Sequence, residues 1–158
     1  MNQVMVNSFI FLFERELGKL ETEISQYPDE ASLWKVSGQI INPPASLCLH
    51  LCGNLQHYIG ALLGSTGYVR NRPREFAERN ITRAELLNEI QRTKLAVATT
   101  LKTLDDASLH KIYPEETLGY SMTAVHFLNH LFGHFSYHLG QINYHRRIIA
   151  LSAHITAN

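Results

Sequence analysis

An all-α four-helix bundle is the fold this sequence predicts, and three features carry the prediction. Four stretches of roughly 20–30 residues place apolar side chains at alternating steps of three and four, the spacing of one helical face. No segment alternates apolar and polar residues in the manner of a strand. Proline, glycine and asparagine punctuate the stretches at Pro28, at Asn42 with Pro43 and Pro44, at Gly64 and at Pro114. With 158 residues, the chain has the size of one domain, 1–158, and buries roughly two-thirds of its unfolded surface.

The first helix spans about residues 3–26, where Val6, Ile10, Phe13, Leu17, Leu20 and Ile24 form a bundle seam. Tyr27, Pro28 and Asp29 end it. The stretch from there to Ile41 reads as irregular or as a short turn, with Trp34 closing the end of the core.

Asn42 is a good N-cap and proline is tolerated in a first turn, so the second helix starts at Asn42, Pro43 and Pro44. It continues to about Leu63 and stops at Gly64. Leu47, Leu51, Leu55, Tyr58 and Leu62 make its core stripe. His50 and His57, seven residues apart, flank that stripe on the same side.

Residues 65–81 form a long connection in which Arg70, Arg72, Arg74 and Arg79 alternate with Glu75 and Glu78. Two readings stand open for it: a solvated loop with internal ion pairs, or an edge that meets an anionic substrate group. It is long enough to cross the bundle, so up-down-up-down order is not compelled.

Thr82 and Glu85 spell a capping box that opens the third helix. Its seam reads Leu87, Ile90, Val97, Leu101 and Leu104, with Lys94 interrupting. A second connection follows through Asp105, Asp106 and Tyr113 to Gly119. The fourth helix begins near Ser121 and runs to about Leu151, with a frayed tail behind it.

Lysine plus arginine and aspartate plus glutamate both total 14, so the formal net charge is zero. That balance provides no electrostatic footprint for nucleic acid or an anionic membrane. No apolar run approaches the roughly 20 residues a spanning helix needs. The N-terminal apolar patch lacks a basic leader and a small-residue cleavage site, and the expectation is a cytoplasmic protein. Cys48 and Cys52, four apart on one helical face, make a poor disulfide. They read as small buried hydrophobes, with a metal-ligating or redox role as the alternative.

The fourth helix holds the densest chemistry. Five of the nine histidines lie between Val125 and Ile149, and His126, His130, His134 and His138 recur at every fourth position. Neighbours four apart share a face, so an adjacent pair can hold one metal ion between two imidazoles. A helix turns about 100° per residue, so the row drifts roughly 40° per step and cannot converge on one atom. Phe127, Leu128, Leu131, Phe132, Phe135, Leu139, Ile142 and Ile149 mark the inward arc. His138 and His134 lie nearest its centre, at roughly 55° and 95°, and are the better ligand pair. His126 and His110 face solvent, His145 makes a capped polar contact, and His154 lies in the tail. His57 and His130 form a second polar layer if the second and fourth helices run antiparallel.

The segment HFSYHLGQI, residues 134–142, resembles the C-terminal signature of the DinB-like family, bacterial metal-binding four-helix bundles. The segment LCLHLCGN, residues 47–54, resembles the family's second-helix signature, a histidine in an apolar stretch followed by Gly-Asn. The resemblance implies an up-down-down-up bundle. It also implies that His50 joins His134 and His138 as the third metal ligand.

Three neutral imidazoles suit Zn²⁺, Ni²⁺ or Fe²⁺, and three protein ligands leave a position for water or substrate. There is no HExxH for a zincin, no Glu-x-x-His for a di-iron carboxylate bundle and no GxSxG for a serine hydrolase. The resemblance implies a metal-dependent thiol S-transferase or related hydrolase, with Gln141 or Tyr137 orienting ligands. Its partners would be a low-molecular-weight thiol and a small electrophile. The alternative is a non-enzymatic metal-binding bundle, structural or dimerising, in which a homodimer forms around helices stiffened by metal. A closed site favours that alternative; an open position beside an apolar pocket favours the enzyme.

Overall fold

The computed structural model describes residues 3–155, with side chains to residue 150. Four long helices form the body: α1 (Val4–Ser25), α2 (residues 44–64), α3 (Arg83–Lys102) and α4 (Ala124–Ile155). Among the described residues no strand forms; the nearest feature is an isolated bridge between Ile112 and Thr123. No described helix is long and apolar enough to cross a membrane.

The cross-helix contacts fix the order. Phe13 packs edge-on against Phe132, and Glu23 takes hydrogen bonds from Asn143 and Arg146, so α1 and α4 run parallel. Glu21 on α1 meets Gln91 and Lys94, while Tyr27 beyond its end accepts from Arg83 at the start of α3, so that pair is antiparallel. Gln56 bonds Glu89, and Gly60 and Gly64 face Ala96 and Thr100, which makes α2 and α3 parallel. His50 meets His134 and Tyr58 meets Phe127, which makes α2 and α4 antiparallel. The bundle is therefore up-down-down-up.

Local sequence explains the elements. Phe13, Leu17, Leu20 and Ile24 are fully buried along one face of α1, each worth roughly 1.5–3 kcal/mol of burial. The start of that helix has no side-chain cap of its own. Asp106, about a hundred residues on, accepts from the backbone N–H groups of Met5 and Val6 instead. The capping box of Thr82 and Glu85 is formed in full. Trp34 ends a short 3₁₀ turn (Ala31–Trp34) and donates its indole N–H to the Ile81 carbonyl, partly buried against the core.

Several sequence expectations need correction. Pro43, not Asn42, occupies the N-cap of α2, and no side chain caps it; Pro44 takes the first helical position, where its missing N–H is no loss. The buried seam of α3 runs Leu86, Ile90, Thr93, Val97, Thr100 and Leu101, whereas Leu87 is only partly buried. Lys94 does not interrupt that seam, because its ammonium pairs with Glu21 of α1. Gly64 lets α2 and α3 approach closely: a methyl there would overlap the Thr100 side chain. Residues 65–81 are not wholly loop, for Arg72–Ala77 forms a short helix capped by the Asn71 side chain. α4 begins at Ala124, after Ser121, and remains helical past Leu151. The side chain of His154 lies outside the described residues.

The last departure is in α2. From Gln56 to Ala61 it widens into a π-helix before closing at Leu62–Gly64. An α-helical register of seven does not persist through a wider turn, so His50 and His57 part company. Ser65 ends α2 in the left-handed region at φ 52°.

Candidate metal centre

His50 sits midway along α2, and His134 and His138 sit on α4, which runs antiparallel beside it. The structure brings one ring nitrogen from each of the three within 4.8 Å of the others. His50 Nε2 and His134 Nε2 are 3.2 Å apart. Two nitrogens on a tetrahedral Zn²⁺ at about 2.05 Å would be roughly 3.3 Å apart. These three histidines could hold one metal ion.

The surroundings set each ring. Glu75, from the short 72–77 helix, places Oε2 2.9 Å from His50 Nδ1, where a carboxylate accepts the ring N–H, and Arg70 Nη2 lies 3.1 Å from the same nitrogen. In the neutral ring this leaves the Nε2 lone pair facing His134. Arg70 grips the same carboxylate with two bonds, Nε to Oε1 at 2.7 Å and Nη2 to Oε2 at 2.9 Å. Burial alone would raise the Glu75 carboxyl, but the hydrogen bonds from His50 and Arg70, with Arg70's charge, hold it below the usual carboxylate range. Gly53 makes this approach feasible: a methyl at that position would collide with the Glu75 carboxylate. The glycine three residues after the histidine in LCLHLCGN thus serves the carboxylate behind His50.

His138 is set in a similar way. Its Nδ1–H donates to Gln141 Oε1 at 2.7 Å, one turn further along α4, which frees Nε2. Burial lowers the His138 pKa against the Gln141 hydrogen bond, and the neighbouring His50 adds to the lowering. His134 is pushed further, to about 4, by burial and then by the adjacent imidazoles of His138, His50 and His130. Its Nδ1 is buried with no hydrogen-bond partner. Burial thus favours the neutral form of His134 and His138, the form a cation requires of an imidazole ligand. The donor set fits a divalent metal.

A cavity of about 370 Å³ opens on the three histidines and runs along the α2–α4 seam. Its lining includes Asn54, Tyr58, Phe127 and His130, with Arg72 and Phe76. A second cavity of about 440 Å³, lined by Ile40, Ile41, Leu47 and Ile142 among others, also reaches His138.

The remaining histidines fall elsewhere. His126 is exposed, 3.2 Å from the Tyr120 hydroxyl, and His110 is exposed. His57 and His130 do not form a layer together. His57 lies 3.8 Å from Glu115 and packs on Tyr58, while His130 stacks on Phe127 at the cavity wall. His145 is buried between the Tyr27 hydroxyl and the Lys35 carbonyl, each 3.0 Å away. Cys48 and Cys52 are buried and free; Cys48 is pushed well above a thiol's ordinary pKa by its hydrogen bond with Cys52 and by burial. Tyr137 stays exposed, its ring edge-on to His138.

Sequence reasoning missed Glu75. It lies in a charge-mixed segment that reads as solvated, and no spacing rule links it to His50. Arg70, weighed as a contact for an anion, is instead held by that carboxylate.

The fold has a solved relative, a conserved protein from Enterococcus faecalis, with a TM-score of 0.74 at 16% identity over 95% of this chain and 99% of that one. At that identity the likeness shows the fold alone. A comparison with curated proteins returned no match. A family described as "Protein of unknown function (DUF1572)" matches residues 1–156. Since that match spans nearly the whole chain, this protein belongs to the DUF1572 family.

Proposed function

We propose that His50, His134 and His138 hold one divalent metal, Zn²⁺, Ni²⁺ or Fe²⁺, and that the site acts as a metal-dependent thiol S-transferase or related hydrolase. The observation that carries this reading is the cavity: the three histidines lie in its wall rather than in closed packing. A bracing site would have no need of an approach. The bundle order and the two matched segments support placing the chain among the DinB-like bundles. All the side chains involved come from one chain, so the reading does not depend on a homodimer.

A divalent metal held by His50, His134 and His138 would supply Lewis acidity, favouring the ionised form of a thiol or water near neutral pH. The protein's own share is orientation. Glu75 and Gln141 fix the His50 and His138 tautomers, and Arg70 keeps Glu75 charged and in place. Arg72, over the Phe76 ring and lining the cavity, is a cation that can meet an anionic leaving group or cosubstrate. The apolar cavity beyond His138 suits the electrophile.

The test loads the protein with Zn²⁺, Ni²⁺ or Fe²⁺ and screens bacillithiol, mycothiol and glutathione against generic electrophiles, with His138→Ala as control. Turnover above that control, together with a thiol-dependent change in the Co²⁺-substituted spectrum, supports the reading. Absence of both contradicts it and leaves a binding module.

A further inference from the structure

Two cavities meet at the candidate metal centre. The one lined by all three histidines, with Arg70 and Arg72, shares Asn42, Leu47 and His138 with the second, so the two adjoin at one ligand. Their chemistry differs. Among the described residues, the lining of the second contains no lysine, arginine, aspartate or glutamate. Its volume of about 440 Å³ is that of a small-molecule pocket. Four of its apolar side chains face water: Ile41 is 82% exposed, Tyr144 68%, Tyr137 65% and Ile40 41%. Apolar surface gathered around one concavity, rather than scattered singly, marks a binding site. The isoleucine wall is also pinned. Ile40 donates its N–H to the Ser37 carbonyl across Gly38, which holds φ 59°, a conformation that favours glycine. The Lys35 carbonyl accepts from His145 Nε2 of α4 at 3.0 Å, and Pro44 opens α2 at the other end.

From this we infer that the second cavity is the hydrocarbon subsite of the metal centre, with Ile40, Ile41, Tyr137 and Tyr144 as its specificity-determining side chains. The ligand class is a small molecule whose ligating or reacting group meets the metal and whose remainder, beyond His138, is alkyl or aryl. A charged group in that remainder would lose its water and find no ion to pair with. The inference rests on the metal centre proposed above, but not on its thiol chemistry.

The experiment uses Co²⁺-loaded full-length protein and straight-chain hydroxamates from acetohydroxamate to octanohydroxamate. Their oxygen head binds the metal, and the tail lengthens by one methylene at a time. Visible absorption reports binding of each, and metal content is measured on every variant. In wild type, affinity should climb roughly two- to fourfold per methylene once the tail passes the His138 ring. Ile41→Ser and Tyr144→Ser should keep the metal and flatten that climb. Both side chains are largely exposed, so neither substitution opens a hole in the core. An affinity independent of tail length, or a climb that survives in both variants, overturns the inference while the metal centre stands. A wild-type dimer that Ile41→Asp splits, measured by light scattering, also overturns it, because the face would then belong to a second copy. If no hydroxamate perturbs the cobalt spectrum, the metal reading falls and takes this inference with it. Should one serine variant not fold, the other decides together with the wild-type series.

Discussion

Glu75 accepts the Nδ1–H of His50 at 2.9 Å from a short helix outside the four-helix core. This bond couples the crossover connection to the candidate metal centre and assigns a purpose to three residues at once. Gly53 leaves the space, Arg70 neutralises the carboxylate, and His50 is held in one tautomer.

Removing that carboxylate should therefore harm both fold and site. In Glu75→Ala, Arg70 is left desolvated without its partner, at a cost of about 3 kcal/mol. Glu75→Gln keeps the shape and should instead weaken metal binding by roughly 10–100-fold. Gly53→Ala should displace the carboxylate and do the same. Urea unfolding and zinc competition against a chelator measure the two effects. Unchanged zinc affinity in both Glu75→Gln and Gly53→Ala would remove Glu75 from the account.

Chelated protein should remain folded at 25 °C, because the buried seams of the four helices form the core without help from a metal. Zinc at a hundred times its dissociation constant should then add about 2.7 kcal/mol, a rise of roughly 5–10 °C in melting temperature. Circular dichroism with and without chelator checks both statements; an unfolded chelated chain would contradict the first.

The chelated protein should also lose stability as pH falls through the histidine range. His134, His138 and His145 are each held below the usual histidine pKa by burial, His134 at about 4. The unfolded chain protonates the same rings near 6.5. Between those values the unfolded state binds more protons, so stability falls as pH falls. Glu75 is held below the glutamate value of 4.5, so its share is lost only under that pH. Urea midpoints should thus drop between about pH 6.5 and 4.5, and His134→Gln should flatten the slope. A flat wild-type profile in that window would refute this.

Much of this was legible in the sequence, for identifiable reasons. The fourth helix repeats its histidines against a clear apolar arc, so the geometry of an α-helix alone picks out His134 and His138. The capping box at Thr82 is local and forms as written. His50 required resemblance, since its flank position does not distinguish it from His57. What separates those two is the π-helical turn beginning at Gln56, and a widened turn has no residue signature. Glu75 was illegible because its contact is tertiary: a segment of mixed charge folds back onto α2, and only the packing shows which charges are buried. The α3 seam was misread at Leu87 because threonines, polar by composition, take buried positions at 93 and 100, the latter against Gly64.

Metal content tests the central claim most directly. Purified wild-type protein, equilibrated with zinc and freed of excess, should carry one metal ion per chain. His50→Ala, His134→Ala and His138→Ala should each lose it, while His126→Ala and His130→Ala keep it. Full occupancy in the three ligand variants, measured by elemental analysis on folded protein, would contradict the assignment of the site.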